Sequence, residues 1–193
     1  MRVFIDGTIA SGKSTQLKML NDRGYDVYPE KIDTWPLDEF YRDPRRWALP
    51  LQIAVLKSYA GTINTDHVAI FERSPESARQ VFWRNLCDNN VVSEDDKDVY
   101  TTNHTLYAWQ PDLFIKLVRS PDACFNSLKT RGQVGDEMVS MDYLKDLDRL
   151  YSRLEMDCPS LVINVDNKTP EQICDQIVAW MHAHTHDASA KSS

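Results

Sequence analysis

Long hydrophobic runs are missing from this sequence of 193 residues. The longest strongly apolar stretches cover residues 49–56 and 161–165, whereas a membrane-spanning helix needs about 20 apolar residues. A predicted strand and a glycine turn take up the first seven residues, which leaves no room ahead of them for a signal or transit peptide. We therefore expect a cytoplasmic protein that does not bind a membrane.

Paired cysteines and an excess of basic residues are missing as well. The four cysteines are at least 16 residues apart and form no CxxC pair, which argues against a zinc site and against a disulfide framework. Lysine and arginine total 22 and aspartate and glutamate 29, so the net charge is −7. Nonspecific binding of nucleic acid depends on basic contacts to phosphates, so this balance argues against a nucleic-acid partner. A net charge of −7 does not exclude a local basic pocket for one small anion.

What is present is an alternation of short apolar runs and amphipathic stretches. Strands are predicted at residues 3–5, 25–28, 67–71, 113–118 and 161–165. Helices are predicted at residues 12–22, 37–60, 77–89, 93–109, 121–131, 140–155 and 170–182, with Pro44 opening the second part of the 37–60 region and Pro50 kinking it. The alternation predicts one α/β domain over residues 1–182, a five-stranded parallel sheet with helices on both faces. Residues 183–193 are predicted to form a flexible polar tail.

A phosphate-binding motif lies between the first strand and the first helix. The sequence GTIASGKS, which begins at Gly7, matches the pattern GxxxxGK[ST]. Backbone N–H groups of such a loop and the start of the next helix bind phosphates, while Lys13 adds charge and the Ser14 hydroxyl binds Mg²⁺. The predicted ATP-binding loop comprises Gly7, Thr8, Ile9, Ala10, Ser11, Gly12, Lys13, Ser14 and Thr15. We therefore expect the chain to bind a nucleoside triphosphate.

Other classes of protein with this loop fit the sequence less well. The last predicted strand is followed by Asp166-Asn167-Lys168-Thr169, which lacks the final acid of the Asn-Lys-x-Asp motif that regulatory GTPases need. A motor or an AAA-type ATPase needs a longer chain. A small phosphotransferase remains, and its acceptor must be held opposite the loop.

Three further groups of residues narrow the acceptor. Glu30 begins a Glu-x-x-x-x-Trp pattern, residues 41–52 read YRDPRRWALPLQ, and Glu72-Arg73-Ser74 ends the third strand. Together with the phosphate-binding loop, these groups resemble the motifs of the deoxynucleoside kinase family over nearly the whole chain. The resemblance implies a three-layer P-loop kinase fold with a lid at about residues 127–137. It also implies ATP- and Mg²⁺-dependent phosphorylation of the 5′-hydroxyl of deoxynucleosides, for nucleotide salvage.

The resemblance implies a role for each matching residue. Glu30 corresponds to the general base that takes the 5′-hydroxyl proton, and Arg73 to the arginine that holds this base. Glu72 and Ser14 would bind Mg²⁺, directly or through water. The implied lid cations are Lys129 and Arg131, although Ser127 and Gln133 stand where relatives carry further arginines. The implied nucleoside site consists of Ile9, Trp35, Leu51, Val55 and Phe82 as apolar walls, Gln52 at the base edge, and Tyr41 with Glu137 at the sugar 3′-hydroxyl; Asp136 competes with Glu137.

Two more positions bear on the choice of base. Family members that prefer deoxycytidine and purines carry a charged pair beside the base, and the matching positions here are Tyr59 and Ala78. Since no charged pair is present and Val55 and Ala78 are small, we expect thymidine and deoxyuridine as substrates, with deoxycytidine accepted and purines poor. Tyr59 is expected to tighten the pocket.

The resemblance further implies a homodimer, for which the helices at residues 52–59 and 77–89 are candidates. Two alternatives stay open. A nucleoside monophosphate kinase such as a thymidylate kinase would bind the acceptor phosphate, for which Arg42, Arg45 and Arg46 are available. A non-catalytic ATP-binding module would bind without turnover.

Overall fold

The computed structural model describes residues 1–61, 67–133 and 135–189, the last five of these by backbone alone. Its five strands form one sheet in which every neighbouring pair is parallel. They are β1 (Arg2–Gly7), β2 (Asp26–Tyr28), β3 (Ala69–Glu72), β4 (Leu113–Val118) and β5 (Ser160–Asn164), in the spatial order β2-β3-β1-β4-β5. The predicted fold class is confirmed. Because the strands run the same way, their carboxyl ends share one edge, where ligands bind in open α/β sheets.

Helices connect the strands and cover the sheet. They are α1 (Lys13–Asp22), α2 (Leu37–Arg42), α3 (Pro44–Ser58), α4 (Pro75–Ser77), α5 (Arg84–Asp88), α6 (Glu94–Tyr107), α7 (Pro121–Arg131), α8 (Met141–Ser152) and α9 (Pro170–Ser189). A π-helix, Ala78–Trp83, joins α4 to α5, so the helix predicted at residues 77–89 contains two geometries. Asp43 separates α2 from α3, and its carboxylate accepts the Arg46 N–H at 3.3 Å. α3 continues through Pro50.

Alternate side chains of the strands build a core on each face of the sheet. On one face Val3 and Ile5 pack with Leu17 of α1 and Ile177 of α9. On the other face Phe4 packs in a cluster with residues from α3, the π-helix and α8. These two clusters give the predicted three layers. No helix among the described residues is long and apolar enough to span a membrane.

The last helix is longer than the sequence predicts. The predicted end is residue 182, with a flexible tail from residue 183, but α9 continues to Ser189. At the start of the added stretch, His184 Nδ1 lies 2.9 Å from the Trp180 carbonyl oxygen, one helical turn earlier. Residues 190–193 of the predicted tail lie outside the described residues.

Candidate active site

A cleft of about 630 Å³ opens at the carboxyl edge of the sheet. It lies among the loop after β1, the start of the chain beyond β2, the helix α3, the π-helix and the segment after α7. The predicted site residues that line it are Ile9, Ala10, Gly12, Lys13, Ser14, Thr15, Glu30, Trp35, Tyr41, Leu51, Gln52, Val55, Glu72, Arg73, Ala78, Phe82 and Arg131. The fold therefore brings together most of the residues that the sequence singles out.

The phosphate-binding loop depends on glycine at two positions. A Cβ on Gly7 would collide with the Leu117 carbonyl oxygen of the neighbouring strand β4. Gly12 has a φ of 97° at the start of α1, a backbone conformation that L side chains rarely adopt. Thr8 and Ser11 are buried and, with Gly7, form the back of the loop rather than the lining of the cleft.

Lys13 is held against this loop. Its ammonium group donates to the carbonyl oxygens of Gly7 at 3.1 Å and Thr8 at 2.9 Å. Burial, with a smaller contribution from the Arg73 charge, lowers the pKa of Lys13 to about 8. An anion in the loop would compensate that burial, because Lys13 and the N-terminus of α1 both favour negative charge.

Glu30 and Arg73 form a buried ion pair where β2 and β3 end. Arg73 Nε lies 2.7 Å from Glu30 Oε1, and the two side chains are 9% and 7% exposed. The backbone of Arg73 has a φ of 61°, which is unusual for a non-glycine residue, and its N–H is held by the Ile5 carbonyl oxygen at 2.9 Å. Burial raises the pKa of Glu30, while the Arg73 charge acts in the opposite direction. Glu30 is therefore a stronger proton acceptor than an exposed carboxylate.

The two predicted magnesium ligands are in contact. The Ser14 hydroxyl donates to Glu72 Oε1 at 3.0 Å, at the edge of the cleft next to Lys13. Oxygen donors of this kind suit Mg²⁺, which also keeps waters and binds substrate phosphates. No cluster of three or more His, Cys, Asp or Glu side chains suited to a metal occurs in the part of the chain described. The two residues thus fit an ion that takes its other ligands from phosphate and water.

The far part of the cleft is apolar and has unpaired polar atoms. Its walls include Leu51, Val55 and Phe82. Gln52 is 5% exposed, and among the described residues neither its Oε1 nor the buried Nε1 of Trp35 has a hydrogen-bond partner. Unpaired buried polar groups are costly, so a ligand that offers both a donor and an acceptor would be stabilised here.

Arg131 reaches the cleft from the end of α7. Its Nε donates to Asp136 Oδ2 at 2.9 Å, and Asp136, which also lines the cleft, accepts the Gln133 N–H at 3.0 Å. Burial and the charges of Asp136 and Glu137 raise the pKa of Tyr41. Val134, within the predicted lid at residues 127–137, lies outside the described residues.

Besides Gly7, Thr8 and Ser11, three predicted site residues do not line the cleft. Lys129 lies with its Nζ 4.3 Å from the centre of the Phe125 ring, because α7 turns it away. Glu137 is exposed and does not line the cleft, whereas Asp136 does. Tyr59 is buried in the core, where it packs on Phe4. Tyr59 therefore does not tighten the pocket in this structure.

Other residues at the site are missed by the sequence analysis. Arg119 lines the cleft and donates to the Ala10 carbonyl oxygen at 2.8 Å. Its position directly after β4, at the same edge as Glu30, was a signal that could have identified it. Asp6 and Tyr151 contact Arg73, and no local sequence pattern identifies either of them as part of the site.

Comparison with known proteins agrees with this geometry. The family model described as deoxynucleoside kinase matches residues 3–185. Protein 143R of Invertebrate iridescent virus 6 is 30% identical over 178 residues, covering 89% of this chain and 91% of that protein. Human mitochondrial thymidine kinase 2 is 28% identical over 190 residues, covering 86% and 71%, and deoxycytidine kinase 1 of Xenopus laevis is 30% identical over 189 residues, covering 76% and 70%.

Among solved structures, deoxyadenosine kinase from M. mycoides superposes with a TM-score of 0.84, over 95% of this chain and 99% of that one. Its sequence identity is 21%, so this likeness concerns the fold. The match to the family model covers most of the chain, so it supports membership of the family as well as the fold. The chain belongs to the deoxynucleoside kinase family and is a phosphotransferase.

Proposed function

We propose that this kinase transfers the γ-phosphoryl group of ATP to the 5′-hydroxyl of pyrimidine deoxynucleosides. The observation that carries the proposal is the buried contact between Glu30 and Arg73 in the same cleft as Lys13. A buried acid whose pKa is raised is suited to take a proton, and the phosphate-binding loop supplies the site for the donor.

In this mechanism the sugar hydroxyl lies between Glu30 and the bound triphosphate. Glu30 accepts the hydroxyl proton as the oxygen attacks phosphorus, and Arg73 holds the carboxylate in place. Lys13 and Arg131 bring positive charge to the phosphoryl group. Mg²⁺, held by Ser14 and Glu72, would neutralise phosphate charge.

The pyrimidine preference rests on the base end of the cleft. Gln52 presents a neutral amide that can donate and accept, which suits the edge of thymine, uracil or cytosine. Val55 and Ala78 are small and leave space for the 5-methyl group of thymine. The names of the relatives include thymidine and deoxycytidine kinases, so they do not choose between the bases.

The alternatives have less support. Arg42, Arg45 and Arg46 are exposed and do not line the cleft, so they offer nothing to the phosphate of a monophosphate acceptor. A non-catalytic module would have no use for a buried Glu30 paired with Arg73. We keep the homodimer as a prediction, which sedimentation of the purified protein would test.

A coupled assay tests the proposal. Thymidine, deoxyuridine, deoxycytidine, deoxyadenosine, deoxyguanosine and thymidylate are each offered with ATP and Mg²⁺. We expect the highest kcat/KM for thymidine or deoxyuridine, a measurable rate with deoxycytidine, and no product from thymidylate. A purine with the highest kcat/KM would overturn the base preference, and efficient turnover of thymidylate would overturn the choice of acceptor.

A further inference from the structure

Arg73 lies between two buried carboxylates. Its Nε is 2.7 Å from Glu30 Oε1, whereas its Nη1 is 4.0 Å from Asp6 Oδ1. The side chain of Asp6 is completely buried, so it too would gain from a direct ion pair with the guanidinium. Glu30 is the proposed base, so the proposed function needs Arg73 to pair with Glu30 and not with Asp6. Another contact must therefore determine which of the two acids pairs with Arg73.

The hydroxyl of Tyr151, on α8, lies between Arg73 and Asp6. It accepts from Arg73 Nη1 at 2.6 Å and donates to Asp6 Oδ1 at 2.8 Å. Asp6 Oδ2 accepts from the Ser74 hydroxyl at 2.8 Å. Asp6 is thus hydrogen-bonded without a direct bond from the guanidinium.

The remaining contacts fix this arrangement. The Gly7 carbonyl oxygen takes a second hydrogen bond from Arg73 Nη1, at 3.0 Å. Phe82 packs on both partners: its ring centre is 4.5 Å from Arg73 Cζ and 6.3 Å from the Tyr151 ring centre. Burial raises the pKa of Tyr151 well above its ordinary value, so the phenol stays protonated and keeps donating to Asp6.

We propose that Tyr151 is a positioning residue that keeps Arg73 on Glu30 by taking the place of a direct Arg73–Asp6 ion pair. The proposal rests on the proposed function, in which Glu30 is the general base. Without the hydroxyl, Arg73 Nη1 loses an acceptor and Asp6 loses a donor. The two groups, 4.0 Å apart, then draw together, and Arg73 moves away from Glu30.

This movement changes the charge balance around Glu30. Arg73 and Lys13 lower the pKa of Glu30, while burial, Glu72 and Asp6 raise it. The charged and titratable groups around Arg73 include Glu30, Tyr151, Asp6, Glu72 and Lys13. Loss of Arg73 from Glu30 therefore raises the pKa of Glu30, and the acid limb of the pH–rate profile moves to higher pH.

The test compares Tyr151→Phe with Tyr100→Phe. Tyr100 is a matched control because it is also buried, lies on α6 outside the cleft, and has a hydroxyl with no partner in the described residues. In Tyr151→Phe we expect the acid limb of the pH profile of kcat/KM for thymidine to move to higher pH by roughly one unit. In Tyr100→Phe we expect no such shift. A lower melting temperature with an unmoved acid limb would mean that Tyr151 only supports the fold, and would overturn the proposal.

A second variant tests the competition itself. Because the Asp6 charge itself raises the pKa of Glu30, the double variant Asp6→Asn/Tyr151→Phe is compared with Asp6→Asn alone. The rival carboxylate is neutral in both, so we expect Tyr151→Phe to cause little further shift in this background. A shift as large as in the wild-type background would show that Asp6 does not compete for Arg73. Should the double variant fail to fold, the comparison of the two Tyr→Phe variants still decides the role of Tyr151.

A readout that needs no turnover separates this proposal from the proposed function. Carbon-13 NMR of protein labelled at the glutamate carboxyl carbon follows the titration of Glu30, whose signal is assigned by its loss in Glu30→Gln. We expect the Glu30 titration to move to higher pH in Tyr151→Phe. An inactive wild-type protein would refute the kinase reaction, whereas an unmoved Glu30 titration would refute the role of Tyr151.

Discussion

The ion pair of Glu30 with Arg73 and the C-terminal end of α7 bring charge to the same cleft in opposite ways. Glu30 and Arg73 are buried at the ends of strands, and hydrogen bonds from several elements hold Arg73. Arg131 has a side chain that is 35% exposed, and its ion pair is with Asp136, only five residues further along the chain. One region is fixed by the sheet, and the other is held by a local contact.

This difference matches what each region has to do. A base must lie in place before the hydroxyl arrives, since small displacements of a catalytic group are costly. A cation that covers the phosphoryl group must also let the nucleotide enter and leave. We therefore expect changes in the buried pair to act on the chemical step, and changes in the segment around Arg131 to act more mildly.

The largest effect is expected for Glu30→Gln. Loss of the general base should lower kcat by ~10²–10⁴ and leave ATP affinity nearly unchanged, because the phosphate-binding loop is intact. Steady-state kinetics and calorimetric titration with ATP measure the two quantities. An equal loss of ATP affinity would mean that Glu30 supports the structure of the cleft.

The next largest effect is expected for Arg131→Met. Removing this charge should lower kcat by roughly 10- to 100-fold, because positive charge near the transferring group stabilises the transition state. Lys129→Met removes a neighbouring charge that lies on Phe125, and it should change kcat by no more than about twofold. Equal losses in the two variants would mean that Lys129 turns from Phe125 toward the phosphoryl group when the substrates are bound.

A pH effect on ATP binding should follow from Lys13. Its pKa of about 8 in the free protein should rise when phosphates bind, so binding takes up a proton above about pH 8. If only the charged lysine binds ATP, affinity should fall about tenfold between about pH 7 and about pH 9. Calorimetry in two buffers of different ionisation enthalpy measures the affinity and the proton uptake. Constant affinity over this range would contradict the prediction.

The smallest effects are expected at Asp136 and Glu137. The family resemblance implies Glu137 at the sugar 3′-hydroxyl, whereas Asp136 is the acid that lines the cleft. Asp136→Asn should raise KM for thymidine about fivefold, since a hydrogen bond to a charged group is weakened. Glu137→Gln should change this KM by less than about twofold, because Glu137 does not line the cleft. The opposite order would place Glu137 at the sugar when substrate is bound.

The sequence predicts the strands, most helices and the phosphate-binding loop because these depend on residues close together in the chain. The meeting of Glu30 with Arg73 follows from their places after neighbouring strands. In contrast, the bond between Asp6 and Tyr151 joins residues 145 positions apart, and only the packing of α8 on the sheet creates it. The directions of Tyr59 and Lys129 are likewise decided by tertiary packing, which a match to a family motif does not contain.

The π-helix Ala78–Trp83 has a consequence for how such an enzyme can change. A π-turn holds one residue more than an α-turn, and this one carries Ala78 and Phe82 in the wall of the cleft. Deletion of a single residue there would restore α-helical winding and change which side chains form this wall, while the following helix, Glu30 and Arg73 kept their places. Substrate choice in this scaffold can therefore evolve through chain length as well as through substitution.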